Sequence, residues 1–142
     1  MKRMALILSV TLAIGIALGI IGTQVLNAQY AQQQEPIKRT VLLKTDLAGI
    51  EGKEGVLFLA ELAPGAVSGK HYHPGTELFY VLEGAFTHAP EGKPPVTLKA
   101  GEAGHNSNKG VHYVKNPSMT ERTRALACLI VDKGQPLTVP VK

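Results

Sequence analysis

The sequence predicts an all-β domain, a jelly roll or small barrel, preceded by an apolar N-terminal segment. From residue 36 onward, short apolar runs alternate with Gly, Pro and Asn, and none of them keeps a sustained helical period. Short runs rich in Val, Leu, Phe, Tyr and Thr, with turn residues between them, are typical of β-sandwiches and barrels. The length of 142 residues suits one domain.

Residues 1–28 are predicted to be a signal peptide or a membrane anchor. Lys2 and Arg3 precede an apolar run from Met4 to Ile21. A basic start before an apolar run is typical of an export signal, while the length of the run approaches that of a membrane-spanning helix. Under both alternatives the remainder is exported to the periplasm or secreted, and an uncleaved segment would anchor it to the inner membrane. Membrane contact is expected only through this segment.

Residues 29–35, QYAQQQE, are predicted to be a short linker because they are polar and low in complexity. The folded domain is therefore expected to span residues 36–142. Seven runs within it are predicted to be strands: KRTVLLKTDL, GVLFLAEL, ELFYVLEG, AFTHA, PVTLKAG, GVHYVKN and RALACLIVD. The terminal PLTVPVK is predicted to be an extended tail or an edge strand, because prolines in sheets occur mainly at edges.

The charge argues against a nucleic-acid-binding protein, and the cysteine content argues against a disulfide-stabilised domain or a thiol enzyme. The formal net charge is +4, and without Lys2 and Arg3 the basic residues exceed the acidic ones by only two. The remaining basic residues are scattered, so the basic patch of a nucleic-acid-binding protein is missing. The single cysteine, Cys128, cannot form an internal disulfide. Within the apolar run RALACLIV it is expected to pack on a strand rather than to act as a catalytic thiol.

The segment HYHPGTE carries the candidate metal ligands. Residues i and i+2 of a strand point to the same face, so His71 and His73 project together. Glu77 has the same parity, although Pro74 and Gly75 interrupt the run. Two imidazoles and one carboxylate are a common ligand set for Fe, Mn, Ni, Cu and Zn. The alternative is a solvated strand that happens to carry polar side chains.

The spacing of five residues resembles the first motif of the cupin superfamily. That motif is a Gly, five residues, His-x-His, three or four residues, Glu, six residues and a Gly. In this sequence Gly65, His71, His73, Glu77 and Gly84 stand at every fixed position. The flanking runs on both sides would supply the other strands of the barrel.

A second segment resembles the second cupin motif in part. That motif is Gly, five residues, Pro-x-Gly, two residues, His, three residues and Asn. Gly101, His112 and Asn116 stand at the expected separations, but Ser107 and Lys109 replace the usual Pro and Gly. The turn before His112 is therefore expected to be more polar and looser than in most relatives.

The resemblance implies that His71, His73, Glu77 and His112 bind one divalent metal ion inside the barrel. Fe or Mn is favoured, with Ni, Cu or Zn as alternatives. The sequence is most similar to small single-domain bacterial cupins described as quercetin-dioxygenase-like. This similarity implies a non-haem metal-dependent oxidoreductase that acts with dioxygen on a small organic molecule, with Glu77 as a catalytic residue. It also implies a homodimer.

Two other roles stay open at this stage: metal or small-ligand binding without catalysis, and a purely structural role. Further residues are weaker candidates for the site. His105 is expected to face outward, with a role in orienting a ligand as the alternative, and His88 is expected to be exposed at a hairpin end. Phe58, Phe79 and Phe86 are candidates to line the pocket or the core.

Overall fold

The computed structural model describes residues 36–141, which form ten β-strands and contain no helix. The predicted signal or anchor segment and the linker lie outside these described residues. Within residues 36–141, no helix that could cross a membrane is found. The strands are β1 (Ile37–Asp46), β2 (Lys53–Leu62), β3 (His71–Tyr72), β4 (Gly75–Glu83), β5 (Ala85–Pro90), β6 (Val96–Lys99), β7 (Ala103–Asn106), β8 (His112–Lys115), β9 (Thr123–Asp132) and β10 (Val139–Pro140).

The strands form two five-stranded antiparallel sheets, in agreement with the predicted all-β fold. The first sheet has the order β1-β2-β9-β4-β7, and the second has the order β10-β3-β8-β5-β6. Strands adjacent in sequence often lie in different sheets, so the chain crosses repeatedly from one sheet to the other. This arrangement is that of a jelly roll.

The core lies between the two sheets, and strands β4 and β9 show this by alternating in burial. In β4 the residues Gly75, Glu77, Phe79 and Val81 are buried, and the residues between them are exposed. β9 alternates in the same way along its whole length. Period-2 alternation directs one face of each strand inward. The core is formed by aromatic and aliphatic side chains of both sheets, among them Val56, Phe58, Leu62, Phe79, Val81, Phe86, Leu129 and Val131.

The chain passes from the second sheet to the first between His73 and Gly75. β3 ends at Tyr72 and β4 begins at Gly75, so the interruption expected at Pro74 is the crossing between the sheets. A Cβ atom on Gly75 would overlap the backbone carbonyl oxygen of Ile130 on the neighbouring strand β9. The absence of a side chain at Gly75 therefore allows β4 to start in register beside β9, two residues before Glu77.

Asn116 fixes the end of the second histidine strand. Its side chain is fully buried, and Nδ2 donates to the backbone oxygens of Ala63 at 3.0 Å and Glu121 at 2.8 Å. Its Oδ1 accepts a hydrogen bond from the backbone N–H of Ser118 at 3.0 Å. These bonds satisfy backbone groups of two loops at once. The asparagine of the second motif is thus a structural residue in this fold.

The crossing at Gly75 yields a testable expectation for stability. Gly75→Ala should lower the free energy of unfolding by about 1–3 kcal/mol, because the added methyl group forces β4 away from β9. Gly69→Ala is the matched control, since a Cβ there meets no atom within 4 Å and the backbone needs no left-handed conformation. Urea unfolding of both variants measures the difference. Equal stability of the two variants would contradict the close packing at Gly75.

Candidate metal centre

Three histidines from two strands meet between the sheets. His71 on β3 and His112 on β8 are direct cross-strand partners, and His73 follows β3 immediately. One ring nitrogen of each histidine lies within 4.8 Å of one ring nitrogen of each of the other two. All three side chains are buried. The structure therefore brings together the three predicted histidine ligands as a group that can hold a metal ion.

Backbone carbonyl groups set the orientation and the tautomer of each ring. A carbonyl oxygen only accepts hydrogen bonds, so each Nδ1 must carry the proton. In the neutral ring Nε2 then keeps its lone pair, which is the form that binds a metal. The bonds run from Nδ1 of His71 to Gly69 at 2.8 Å, of His73 to Leu137 at 2.6 Å, and of His112 to Gly110 at 2.9 Å.

The partner of His73 belongs to the C-terminal segment. This segment was predicted to be an extended tail or edge strand, and β10 pairs with β3 of the same chain through Val139 and Tyr72. The pairing brings the Leu137 carbonyl oxygen to His73 across 64 positions of sequence. One ligand is thus oriented by a segment far away in the chain.

Burial keeps the three imidazoles neutral. Removal from water lowers the pKa of His71 and of His73, and it lowers the pKa of His112 to about 3. Loss of hydration penalises the charged form of a base, and the neighbouring histidines act on His112 in the same direction. The rings therefore need no deprotonation at neutral pH before they bind a cation.

Glu77 enters the site from the opposite sheet. Its Oε2 lies 3.2 Å from Nε2 of His73 and accepts a hydrogen bond of 2.5 Å from Nδ2 of Asn106. Burial raises the pKa of this carboxyl group, whereas the bond from Asn106 and the positive charge of Arg39 lower it. Because His73 carries its proton on Nδ1, its Nε2 and the carboxylate oxygen are two acceptors facing each other.

Two such acceptors at 3.2 Å are stabilised by a positive charge, either a proton or a metal ion. The nitrogen and oxygen donors therefore fit a divalent cation held by His71, His73 and His112. The carboxylate of Glu77 lies beside this group, in contact with Nε2 of His73. Glu77 as a fourth ligand and as a catalytic residue stays a prediction.

Two further residues belong to the site: Asn106, which no sequence pattern indicated, and His88, which was expected to be exposed. Asn106 on β7 is the direct cross-strand partner of Glu77, and its Nδ2 also lies 3.3 Å from Nε2 of His112. Its Oδ1 accepts a hydrogen bond of 2.7 Å from Nε2 of His88. The prediction that His88 is exposed was wrong, because β5 pairs with β8 and turns this side chain inward. His105 is exposed, as expected.

The turn before His112 is closed by backbone hydrogen bonds. The N–H of Lys109 donates to the carbonyl oxygen of His73 at 2.9 Å, and that of Gly110 donates to Ser107 at 3.0 Å. Lys109 adopts a left-handed backbone conformation with φ of 59° at the position where the motif has Gly. This conformation costs a non-glycine residue about 1–2 kcal/mol. The turn is thus hydrogen-bonded within itself and to His73, and a looser turn than in most relatives stays a prediction.

A cavity of about 50 Å³ adjoins the histidines. Phe58, Phe79 and Phe86 contribute to its wall, so they line both the pocket and the core. Arg39 of β1 also reaches this cavity, a position that the sequence analysis did not assign. Cys128 is half-buried, and its neighbours in β9 on both sides are the buried inward-facing residues, so its side chain faces away from the site.

The lowered histidine pKa values predict how the metal-free protein responds to acid. Unfolded His112 takes up a proton near pH 6.5, whereas the folded residue does so only near pH 3. The unfolded state binds more protons within this window, so the free energy of unfolding decreases as the pH falls through it. The raised pKa of Glu77 acts in the opposite sense, because the stability linked to it decreases as the pH rises above about 4.5.

His112→Gln should therefore make the acid-induced loss of stability shallower. Urea unfolding of the metal-free chain across the upper half of this pH window measures the slope. His105→Gln is the control for removing a histidine, because His105 is exposed. If the two variants have the same slope, burial of His112 does not cause the pH dependence.

Comparison with protein families and solved structures identifies the fold. The family model described as the cupin domain matches residues 58–129, about half of the chain. This segment contains both histidine motifs. None of the curated proteins compared with the chain matches it.

Solved structures share the fold at low sequence identity. A cupin-like protein from Thermotoga maritima has a TM-score of 0.59 and 21% identity, over 74% of this chain and 75% of that one. The DMSP lyase DddQ from Ruegeria pomeroyi has a TM-score of 0.62 and 18% identity, over 78% and 54% of the two chains. KdgF from Halomonas sp. has a TM-score of 0.57 and 18% identity, over 72% and 84%. With the family match and the two-sheet jelly roll in agreement, the chain belongs to the cupin family.

Proposed function

We propose that this cupin is a metal-dependent enzyme, an exported oxidoreductase of dioxygenase-like type that acts on a small organic molecule. The observation that carries the proposal is the set of three Nδ1 hydrogen bonds, which leave Nε2 of each ring unprotonated beside one small cavity. Three neutral, buried bases with fixed tautomers are the arrangement needed to hold a reactive metal ion.

In the proposal, His71, His73 and His112 hold one divalent ion and Glu77 is the fourth ligand. When bound, Fe(II) or Mn(II) would supply the redox chemistry by which a small organic substrate reacts with dioxygen. Ni, Cu and Zn are alternatives. Three neutral imidazoles and one carboxylate leave such a site with a net charge of +1.

The chain's own residues would position and isolate the reaction. The backbone carbonyls hold the imidazole rings, and the aromatic wall of Phe79 and Phe86 limits access of water. Asn106 fixes Oε2 of Glu77 by its hydrogen bond. A carboxylate whose pKa is raised by burial is a stronger proton acceptor at that atom than an exposed one.

Metal or small-ligand binding without turnover is the second candidate, and the size of the cavity favours it. A space of about 50 Å³ holds only a few water molecules, far less than a flavonol. The quercetin-dioxygenase-like subtype therefore stays a prediction of the sequence resemblance. Among the structural neighbours are DMSP lyases, so a reaction without dioxygen is an outcome that the experiment must recognise.

Export and homodimer formation belong to the same proposal. The basic and apolar pattern of residues 1–28 supports export. An exposed apolar surface on the first sheet, which includes Leu43, Leu78 and Tyr80, supports pairing with a second copy. Cell fractionation and light scattering measure the two properties, and a cytoplasmic monomer would contradict both.

Oxygen consumption tests the enzymatic proposal. The full chain, loaded with Fe(II) or Mn(II), is expected to consume dioxygen with at least one member of a panel of catechols, flavonols and small hydroxy acids. Glu77→Gln should lower the rate by about 100-fold or more, because it removes both a ligand and a proton acceptor. Glu83→Gln is the control, since Glu83 lies at the exposed end of the same strand.

The outcomes separate the candidates. If the loaded chain binds metal but consumes no dioxygen, product analysis for elimination or hydrolysis decides between a non-oxidative enzyme and a binding protein. If uptake persists unchanged in Glu77→Gln, the role assigned to Glu77 is wrong.

A further inference from the structure

Arg39 places a fixed positive charge at the same cavity as the three histidines. It lies on the edge strand β1, where it pairs with Ala60 of β2. Ile37 and Arg39 are half-buried, whereas Lys38 between them is exposed. The alternation directs Arg39 toward the interior, and its side chain lines the cavity together with His71, His73 and Glu77. The charge is therefore internal to the barrel.

The guanidinium group has no bonding partner among the residues that the structure describes. Within residues 36–141, Arg39 forms no side-chain hydrogen bond and no ion pair with another described residue. The two other arginines of this region, Arg122 and Arg124, are both paired with Glu83 on the outer surface. A half-buried guanidinium beside apolar walls is costly unless its donors are satisfied. An anion that accepts two parallel N–H bonds satisfies them best.

Glu77 does not supply that anion at bonding distance. Its Oε2 is already engaged by Asn106 and lies beside His73. No ion pair within 4.0 Å joins Glu77 and Arg39 among the described residues, although the charge of Arg39 acts on Glu77 across the cavity. The carboxylate thus belongs to the histidine group, and the arginine is left facing the space.

The charge of the loaded site also favours an anion. Three neutral imidazoles, one carboxylate and a divalent ion carry a net charge of +1, and Arg39 raises the total in the cavity to +2. An anionic ligand would reduce this charge in a place with little water. Attraction between charges is stronger in such surroundings than at the surface.

Size and wall chemistry restrict the anion. The cavity of about 50 Å³ admits a ligand of only a few non-hydrogen atoms. Leu62 and Val114 add apolar surface to the aromatic wall of this cavity. A short aliphatic chain with one planar anionic end matches this combination better than a tetrahedral phosphate, which is polar on all sides.

We propose that Arg39 is the anion-binding end of a subsite for a small aliphatic carboxylate, whose other end faces the histidine group. Bidentate bonds from the guanidinium hold the carboxylate, and the apolar wall contacts the carbon chain. The proposal rests on the proposed function only in taking this anion to be the substrate. Arg39 is thus the residue that selects small carboxylates over neutral molecules of the same shape.

Binding of propionate to the full chain loaded with Zn(II) tests the subsite, because the positive charge that favours an anion belongs to the metal-loaded site. The chain is dialysed free of chelator, because common chelators are carboxylates themselves, and ligand-observed NMR titration gives the dissociation constant. Propionate should bind to the wild-type chain, and propionamide should bind at least about tenfold more weakly, since it lacks the charge. Inorganic phosphate tests whether the subsite accepts a tetrahedral anion, and benzoate tests whether it accepts a larger carboxylate.

Variants of β1 assign the effect to Arg39. Arg39→Gln should weaken propionate binding at least about tenfold, and Arg39→Lys should give an intermediate value because it keeps the charge without the fork. Lys38→Gln is the matched control, since it removes a neighbouring charge from the exposed side of the same strand. It should bind propionate like the wild type. Circular dichroism and urea unfolding establish that each variant is folded.

The results separate this subsite from the proposed function. Propionate binding that depends on Arg39, in a chain that consumes no dioxygen when loaded with Fe(II) or Mn(II), supports the subsite and contradicts the proposed dioxygenase-like activity. Equal binding in Arg39→Gln and wild type overturns the subsite whatever the activity. Propionamide binding as tight as propionate, or phosphate binding tighter than propionate, overturns the assignment to carboxylates. If Arg39→Gln is unfolded, the comparison of Arg39→Lys with Lys38→Gln decides in the same way.

Discussion

Hydrogen bonds from three imidazole Nδ1 atoms to backbone carbonyls are the constraint on which the site depends. They fix the rings as neutral bases with Nε2 available, and burial keeps them neutral by lowering their pKa values. The three carbonyls come from three separate segments: the loop before β3, the turn before β8 and the segment before β10. Because these segments meet only in the folded barrel, the ligand geometry is a property of the whole fold rather than of the HxH motif alone.

The two sheets contribute different chemistry to the same space. The second sheet supplies the histidines, whereas the first supplies Glu77, Asn106 and the charge of Arg39. A carboxylate facing neutral imidazoles across the interior requires a cation or a proton for stability. The apolar wall keeps water away, which strengthens each electrostatic contact. A metal ion would stabilise the facing acceptors of His73 and Glu77, and a small anion would reduce the positive charge that the ion and Arg39 together place in the cavity.

The sequence was sufficient to predict the all-β fold and to select the three histidines. Alternation of period 2 places His71 and His73 on one face, and the motif spacing adds His112. Three residues of the site, Asn106, His88 and Arg39, were not predicted, because the direction of their side chains depends on pairing between distant strands. Asn106 lies on β7, whose sequence AGHN carries no strand signal. His88 faces inward through the pairing of β5 with β8.

The position of Arg39 at the cavity was not predicted for a related reason. Its strand contains a bulge between Val41 and Leu43, and the parity of residues changes there, so counting along KRTVLLKTDL cannot assign the inner face. The bond between His73 and Leu137 was equally hidden, because β10 pairs with β3 through only two residue pairs at the end of the chain. Local pattern predicts strands, but long-range register decides which polar side chains share a cavity.

Metal content measures the central claim most directly. The full chain, purified without a histidine tag or chelator and offered Fe, Mn, Ni, Cu and Zn in turn, is analysed for bound metal beside two variants. The account predicts one ion per chain in the wild type and in His105→Ala, and almost none in the double variant His71→Ala, His73→Ala. A wild-type chain that stays empty with every ion, or a double variant that keeps a full complement, would contradict a metal site at the three histidines.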